Sequence, residues 1–296
     1  MQRPSLSVMS SAARLYPRHS HNFKPLAGVR ITTLAVNLPG PAAAARLHAL
    51  GAEVRKIEPP SGDPMAQMSP ALYRAMHKGI RVQTLDLKTE QGQTALHTHL
   101  QRSDLLFTAF RPAALKRLGL DKPSLAARHA LLSAVCVLGY PGAQSHLPGH
   151  DLTFQAEAGL IDTAHLPSTL LADMMGAMLV VEAAMGALLQ ARLQGRGVML
   201  DVALSDAAGF AAVPRTLGMT APGSLLGGAL PGYGVYLCAD GLVAIAALEP
   251  HFQQTLFLLA QGGTRRHITR WCKTHTAAQL TALARQHDLP LWAWTT

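Results

Sequence analysis

The feature that most constrains this chain is a regular alternation of short β-rich runs with Ala- and Leu-rich helical stretches. Residues 29–36 (VRITTLAV) predict a strand, residues 42–50 (AAAARLHAL) a helix, and residues 53–58 (EVRKIE) a second strand. Two strands joined by a helix run parallel, so this segment predicts a βαβ unit. The alternation continues, with further strands predicted at 81–87, 104–110, 130–138 and 198–204.

This repetition predicts an α/β protein with a Rossmann-like parallel sheet and helices on both faces of the sheet. Ligands of such sheets bind at the carboxyl ends of the strands. After residue 215 the pattern changes to glycine-rich loops around two strand-like runs, 234–237 and 242–246, and the closing 30 residues are predicted to be helical. We therefore predict a large domain over 24–215 and a smaller, Gly-rich α+β domain over 216–296.

The formal net charge of +9 is concentrated at the two ends of the chain. Residues 1–52 contain six Lys and Arg residues and no acid, and residues 265–296 contain five against Asp288 alone. The body is near neutral and only 5% of residues are aromatic, so we predict no nucleic-acid partner. Residues 1–23 are rich in Ser and Arg without an apolar core, which favours a disordered tail, although organelle transit peptides share this composition.

Cysteine usage and hydropathy exclude two further classes of protein. The three cysteines, Cys136, Cys238 and Cys272, are too scattered for a disulfide framework or a CxxC metal site, so we expect a reducing, cytoplasmic compartment and no metal. The most apolar stretch, residues 170–193, is interrupted by Asp173 and two other charges. It therefore predicts a buried helix, and we expect no membrane partner.

The turn after the first predicted strand lacks the dinucleotide fingerprint. Residues 36–41 (VNLPGP) contain one glycine and two prolines, whereas a pyrophosphate site needs a series of glycines. Glu58 ends the second strand, where a ribose-binding acid would lie. Without the glycines we disfavour NAD and interpret Glu58 as a solvated strand end.

Three ionisable residues could carry chemistry. Asp173 begins an apolar helix, where burial would raise the carboxyl pKa toward the range useful for proton transfer. The alternative is an acid stabilised only by the positive end of the helix. His150 lies in a loop where the sheet places ligands, and its imidazole titrates near neutrality. Glu249 precedes Pro250, which by itself is typical of a helix start.

Several ordered segments together resemble the class III CoA-transferase and α-methylacyl-CoA racemase family, the CaiB/BaiF-like proteins. The resemblance covers roughly residues 26–252. Its segments are 26–30 (LAGVR), 38–41 (LPGP), 50–64 (LGAEVRKIEPPSGDP), 85–88 (LDLK), 110–112 (FRP), 117–120 (RLGL), 148–151 (PGHD), Asp173, 195–197 (GRG) and 201–204 (DVAL). It implies an acyl-CoA enzyme of fatty acid metabolism that forms homodimers and receives coenzyme A as the carrier of its substrate, with no tightly bound cofactor.

The resemblance leaves two chemistries open. In the CoA-transferases, the aspartate matching Asp173 attacks an acyl-CoA thioester and forms a mixed anhydride. In the racemases, that aspartate and a histidine matching His150 exchange a proton at the α-carbon, and a glutamate matching Glu249 supports the histidine. The segments 148–151 and 248–252 (LEPHF) are similar to the racemase branch. We therefore favour 1,1-proton transfer on a 2-methylacyl-CoA, with CoA transfer or a degenerate, non-catalytic relative as alternatives.

For CoA itself, the resemblance implicates Asn37 in the first turn, Arg111, and the loop at Gly139 and Tyr140, with Lys78 as a weaker candidate. An Arg can pair with a phosphate bidentately, which suits Arg111 to this role.

The chain departs from the family pattern in the same regions. The family often has an Arg near position 37 and Asn-Arg-Gly-Lys where residues 76–79 read MHKG. Arg81 is a further weak candidate for a CoA phosphate. Family members usually continue for some tens of residues and form dimers linked like rings in a chain, so we expect a truncated small domain and leave the interlocked form open.

Overall fold

The computed structural model describes residues 23–296, so the tail predicted over residues 1–23 lies, apart from Phe23, outside the described residues. The described chain divides into two compact units, the first ending at Ala212 and the second running from Val213 to Thr296. The domain boundary after residue 215 stays a prediction.

The first unit is built on a six-stranded sheet in which every neighbouring pair is parallel. Its strands are β1 (Arg30–Thr33), β2 (Glu53–Glu58), β3 (Arg81–Thr84), β4 (Leu105–Thr108), β5 (Ser133–Leu138) and β6 (Met199–Ala203). Their order is β3-β2-β1-β4-β5-β6, which reverses direction between β1 and β4. This is the Rossmann-like order, and the predicted α/β class is confirmed.

Helices cover both faces of this sheet. They are α1 (Pro39–Ala49), α2 (Met65–Met68), α3 (Pro70–Met76), α4 (Glu90–Leu100), α5 (Pro112–Arg117), α6 (Lys122–Arg128), α7 (Asp151–Glu157) and α8 (Leu171–Gln194), followed by α9 (Leu204–Thr216). Strand β5 is buried throughout because its side chains alternate between two cores. Val135 and Val137 pack with α1 and α8, while Ala134 and Cys136 pack with α4, α5 and α6.

Helix α8 is, by length and composition, apolar enough to cross a membrane. In the first unit it packs against α1, α7, β5 and β6. Small residues such as Ala177, Ala184 and Ala187 are almost fully buried on its inner side and allow this close approach. The helix ends at Gly195, whose φ of 66° gives the left-handed cap for which glycine is favoured. These contacts are those of a helix covering a parallel sheet.

The second unit contains an antiparallel sheet of three strands in the order β7-β8-β9. The strands are β7 (Tyr233–Cys238), β8 (Gly241–Ala246) and β9 (Leu291–Thr295), and the helices are α10 (Pro250–Leu259), α11 (Arg265–Lys273) and α12 (Ala277–Gln286). The prediction that the closing residues are helical is wrong for β9, which pairs with β8 from Leu291 opposite Ile245. Pro290 separates this strand from α12, and its alternating tryptophans suit a strand.

Candidate active site

A cavity of about 530 Å³ opens at the carboxyl ends of β1, β4 and β5. Its wall includes residues 36–39 after β1, Ala109 and Arg111 after β4, and residues 137–139 at the end of β5. The order of the sheet reverses between β1 and β4, and ligands of doubly wound sheets bind at such a switch point. We refer to this space as the switch-point cavity.

Asp173 lines the switch-point cavity from the first turn of α8. Burial, and then the neighbouring carboxylate of Asp151, raise the pKa of Asp173 to about 6. A helix N-terminus alone would favour an ionised acid, whereas desolvation and a neighbouring carboxylate favour the protonated form. Of the two interpretations of Asp173, this surrounding favours the acid that can hold or release a proton near neutrality.

Asp151 ties the start of α7 to the start of α8. Its buried carboxylate accepts a hydrogen bond from the backbone N–H of Asp173 at 3.0 Å and another from Gln155 Nε2 at 2.6 Å. Gln155 also donates to the carbonyl of Thr169 at 3.3 Å. Asp151 therefore positions Asp173 and raises its pKa. Asp151 is the last residue of the PGHD segment, and nothing in that sequence pattern indicates this role.

His150 lies at the N-cap of α7 and also lines the switch-point cavity. Its backbone is fixed, because its N–H donates to Thr153 Oγ1 at 3.0 Å and its carbonyl accepts from the same hydroxyl at 2.8 Å. The preceding Gly149 allows Phe154 to pack closely, since a Cβ there would lie 2.4 Å from the Phe154 ring. The loop is thus held in place while the His150 residue stays exposed.

A buried ionic group, here called the Lys56 cluster, lies at the end of β2. Lys56 is 0% exposed, and its Nζ contacts Glu58 at 3.0 Å, His77 Nε2 at 2.9 Å and a carboxylate oxygen of Asp63. The hydroxyl of Tyr73 donates to Glu58 at 2.8 Å. The prediction that Glu58 is a solvated strand end is therefore wrong. The Tyr73 that donates to Glu58 lies on α3, a helix that was not predicted from the sequence.

Three residues of the Lys56 cluster have the donor set of a metal site. The ligand atoms of Glu58, Asp63 and His77 lie within 4.8 Å of one another. The Lys56 ammonium contacts all three, so a cation already occupies the centre of the group. Burial lowers the pKa of His77, and its Nδ1 donates to the Tyr73 carbonyl at 2.7 Å, which leaves Nε2 to accept from Lys56. The donor set therefore suits a buried lysine.

The Lys56 cluster also fixes the turn that borders the switch-point cavity. Asp63 Oδ1 accepts hydrogen bonds from the backbone N–H of Asn37 at 3.0 Å and of Met65 at 2.9 Å. Asn37 has a φ of 66°, in the left-handed region that Asn tolerates better than most residues. The buried carboxylate of Asp63 thus fixes the turn after β1.

The residues predicted to contact CoA do not all reach this cavity. Asn37, Arg111 and Gly139 line it. Lys78 is exposed and lies outside its wall. Tyr140 also lies outside the wall, and its hydroxyl donates to Glu157 at 3.0 Å. That hydrogen bond raises the pKa of Tyr140 and holds the ring against α7.

Two other predicted residues lie elsewhere in the molecule. Glu249 belongs to the second unit, where it is the exposed N-cap residue of α10. Arg81 is the first residue of β3, at the amino edge of the parallel sheet, which is opposite the edge that forms the switch-point cavity. Arg81 does not line the switch-point cavity, and its contact with a CoA phosphate stays a prediction.

A second cavity, of about 680 Å³, adjoins the first at the same edge of the sheet, and Val36 lines both. Its wall is formed by residues 57–61 after β2, residues 85–88 after β3, and Phe110 and Arg117 around α5. Of these segments, the family resemblance implicates the Phe-Arg-Pro segment at Phe110 in CoA binding, and the others were matched to the family without a ligand. We refer to this space as the β2–β3 cavity.

Comparison with known proteins places this fold in a family. The family described as CoA-transferase family III matches residues 26–293. A cinnamoyl-CoA:phenyllactate CoA-transferase of Clostridium sporogenes is 31% identical over 209 residues, which are 64% of this chain and 51% of that protein. An α-methylacyl-CoA racemase of Mus musculus is 30% identical over 256 residues, 78% of this chain and 63% of that protein.

Solved structures agree with the fold. The crystal structure of a hypothetical protein from Mycobacterium tuberculosis superposes with a TM-score of 0.79 at 25% identity, covering 92% of this chain and 84% of that one. A CAIB/BAIF family protein from Brucella suis gives a TM-score of 0.76 at 23% identity over 92% and 84% of the two chains. The chain matches 51% of the length of the C. sporogenes relative and 63% of the mouse relative.

Proposed function

The chain belongs to CoA-transferase family III, and on that premise we propose that it transfers a proton at the α-carbon of a 2-methylacyl-CoA, with His150 and Asp173 as the acid–base pair. The observation that supports this most directly is the placement of both residues on one cavity, where the pKa of Asp173 is raised to about 6. A carboxyl with that pKa is present in both protonation states near neutrality, which a reversible acid–base catalyst requires. The family includes both CoA-transferases and racemases.

The chemistry needs one base and one acid on opposite faces of the α-carbon. One group takes the α-proton, and the electrons of the C–H bond pass to the thioester carbonyl oxygen, giving a planar enolate. The other group returns a proton to the opposite face, which inverts the centre. The N-terminus of the 24-residue helix α8 adds partial positive charge beside Asp173, which favours negative charge developing in the enolate.

Coenzyme A enters as part of the substrate, and no tightly bound cofactor is required. We place its nucleotide portion in the β2–β3 cavity, where Lys88 and Arg117 lie within reach of phosphates, and the thioester in the switch-point cavity. Asn37, Arg111 and Gly139 border the path to the thioester. Lys78 and Tyr140 remain proposed contacts with the outer part of CoA, and Glu249 remains the proposed support of His150.

CoA transfer between carboxylic acids is the second candidate. The C. sporogenes relative is named as a CoA-transferase, which favours it. In this reaction the ionised Asp173 would attack the thioester carbonyl, form a mixed anhydride and release the CoA thiolate. The thiolate would then attack the Asp173 carbonyl, which releases the first carboxylate and leaves an aspartyl-CoA thioester. A second carboxylate would attack this thioester to form a new mixed anhydride, and the released CoA thiolate would attack its acyl carbonyl, giving the new acyl-CoA and free Asp173. Both reactions use the same desolvated carboxylate. A relative that binds CoA without turnover is the third outcome.

We also propose that the protein acts in the cytoplasm as a homodimer, in fatty acid metabolism. The outer side of α8 presents Met185, Leu189 and Leu193, which are 39%, 61% and 78% exposed, at successive helical turns. A second copy of the chain is the partner that would cover such a stripe. Leu189→Glu should then shift the protein from dimer to monomer in light scattering, and an unchanged mass would remove α8 from the contact.

The function is tested by incubation with a 2-methylacyl-CoA in deuterated water. We expect deuterium at the α-carbon, and we expect it to disappear in His150→Ala and in Asp173→Asn. Glu182→Gln, on an exposed position of the same helix, is the matched control and should retain full exchange.

Each alternative has its own readout in the same assay. Exchange of CoA with a free carboxylic acid, together with an adduct on Asp173 that hydroxylamine traps, would identify the transferase. Folded protein that binds CoA but gives neither reaction would identify a non-catalytic relative and reject both proposed activities.

A further inference from the structure

A third cavity, of about 560 Å³, lies at the amino edge of the parallel sheet. Its wall includes Arg30, Glu53 and Arg81, which are the first residues of β1, β2 and β3. Thr98 and His99 from the end of α4, and Arg102 and Ser103 from the turn before β4, complete this side. The switch-point cavity lies at the carboxyl edge, so a four-residue strand of about 13 Å separates the two. We call this space the amino-edge cavity.

Four arginines line the amino-edge cavity: Arg30, Arg55, Arg81 and Arg102. Arg30 Nε lies 3.8 Å from a carboxylate oxygen of Asp104, and both side chains are about half exposed. Arg55 donates to the neutral side-chain oxygen of Gln83 at 3.2 Å. Within residues 23–296, no carboxylate forms an ion pair with Arg55, Arg81 or Arg102. Three guanidinium groups therefore lack a carboxylate partner in this part of the chain.

The potential inside the cavity is positive. Glu53 is the one carboxylate that its wall contains, and it is exposed. His99 lies in the same wall, where burial lowers its pKa and the nearby charges of Arg55 and Arg102 lower it further. Burial is the larger cause, and the further lowering by the two arginines has the sign of a positive local field.

Several other polar groups in the wall already have partners. The hydroxyl of Thr32 donates to Ser103 Oγ at 2.8 Å, and Ser103 donates to the carbonyl of His99 at 2.9 Å. His48 Nδ1 donates to the carbonyl of Ala52 at 3.0 Å. The donors left for a ligand are therefore the guanidinium forks, which match the oxygen geometry of phosphate and carboxylate.

We propose that the amino-edge cavity binds a compact multivalent oxyanion, a phosphate ester or a polycarboxylate, through Arg55, Arg81 and Arg102. The volume lies in the range of small-molecule sites. The wall contains no Phe, Tyr or Trp ring on which a base could stack, which disfavours a nucleotide or a nucleic acid. The separation of the two edges makes this site distinct from the proposed path of CoA, and its occupancy does not depend on turnover.

The proposal is tested by calorimetric titration of the full chain with inorganic pyrophosphate and with citrate at constant ionic strength. We expect saturable binding of at least one of them, weakened tenfold or more in the double variant Arg55→Gln/Arg102→Gln. The matched control is Arg192→Gln/Arg196→Gln, which removes two exposed arginines outside the cavity and should bind normally. The tighter of the two anions identifies phosphate or carboxylate as the preferred group.

Two outcomes would overturn the site. The first is that neither anion binds, or that the cavity variant and the control variant bind with equal affinity while circular dichroism shows that both are folded. The other is displacement of the anion by saturating CoA, which would mean that the anion occupies the CoA path instead. Saturable binding that CoA leaves unchanged and that the cavity variant loses supports the proposal, whichever activity the enzyme has.

Discussion

Two carboxylates of the first unit lie in opposite electrostatic surroundings. Asp63 belongs to the Lys56 cluster, and Asp173 lies where α7 meets α8. Asp63 is fully enclosed, with the Lys56 ammonium and the backbone N–H groups of Asn37 and Met65 as partners. Asp173 is desolvated, and the charged group that most affects it is another carboxylate, Asp151. Burial alone therefore does not show whether a carboxylate has a structural or a chemical role. The charge of the neighbouring group is needed to distinguish the two.

The difference has an energetic consequence. A buried ion pair compensates much of the desolvation of both partners, and removing one partner leaves the other uncompensated. Desolvation of Asp173 has no such compensation and is expressed as a raised pKa, a pattern that is concentrated at functional sites. This contrast indicates a structural role for Asp63 and supports the proposed chemical role of Asp173. Substitutions at the two places should change stability in opposite directions.

The largest effect is expected for Lys56→Met. This change leaves Glu58 and Asp63 buried without a cation, and it should lower the free energy of unfolding by about 3–5 kcal/mol. Urea denaturation at pH 7 measures the loss. Lys116→Met, on the exposed side of α5, is the control and should change stability by about 0.5 kcal/mol or less. A Lys56→Met protein as stable as that control would contradict the ion-pair assignment.

The next effect, for Asp173→Asn, has the opposite sign. Because the folded pKa of Asp173 is raised from 3.8 to about 6, the folded state binds a proton more tightly than the unfolded state. The free energy of unfolding therefore falls as pH rises from about 4 to 6, and the loss is complete above that range. Asn abolishes the loss and should stabilise the protein by roughly 1–2 kcal/mol at pH 8, a value reduced for partial solvent exposure.

The pH dependence separates this prediction from a general effect of the amide. Thermal or urea unfolding of Asp173→Asn should show its gain at pH 8 and no gain at pH 4, where the native carboxyl is protonated. Glu182→Gln, exposed on the same helix, should show no such dependence. A gain of equal size at both pH values would mean that ionisation of Asp173 is not its source.

The sequence predicted those parts of the molecule that depend on local pattern. Strand β2 lies at the predicted residues, and α8 begins within one residue of its predicted start, because their hydrophobic runs and terminal residues fix them locally. The surroundings of Glu58 could not be predicted, since they depend on α3, a short helix without a strong pattern. Strand β9 was missed because it forms by pairing with β8, a contact between segments distant in sequence.

Two features of the sites needed the assembled sheet. The arginines of the amino-edge cavity come from three strands and a helix end, and only the parallel register brings Arg55 opposite Arg81. The role of Asp151 needed the meeting of α7 and α8, 22 residues apart at the hydrogen bond to Asp173. By contrast, the family resemblance had already paired His150 with Asp173, and both residues line the switch-point cavity.

The smallest effect is expected at Asn37, which contacts both regions. Its backbone N–H donates to Asp63, and the residue lines the switch-point cavity together with Asp173. Asn37→Ala should lower the free energy of unfolding by about 1 kcal/mol, because its φ of 66° is unfavourable for a residue with a plain Cβ. Asn37→Gly keeps this conformation accessible and should leave urea stability within about 0.5 kcal/mol of the parent. If the side chain also contacts substrate, both variants should raise KM for acyl-CoA equally. If KM rises only in Asn37→Ala, the backbone conformation of the turn matters and the Asn37 side chain does not. Asp63, which holds that turn, would then affect the site only through the shape of the turn.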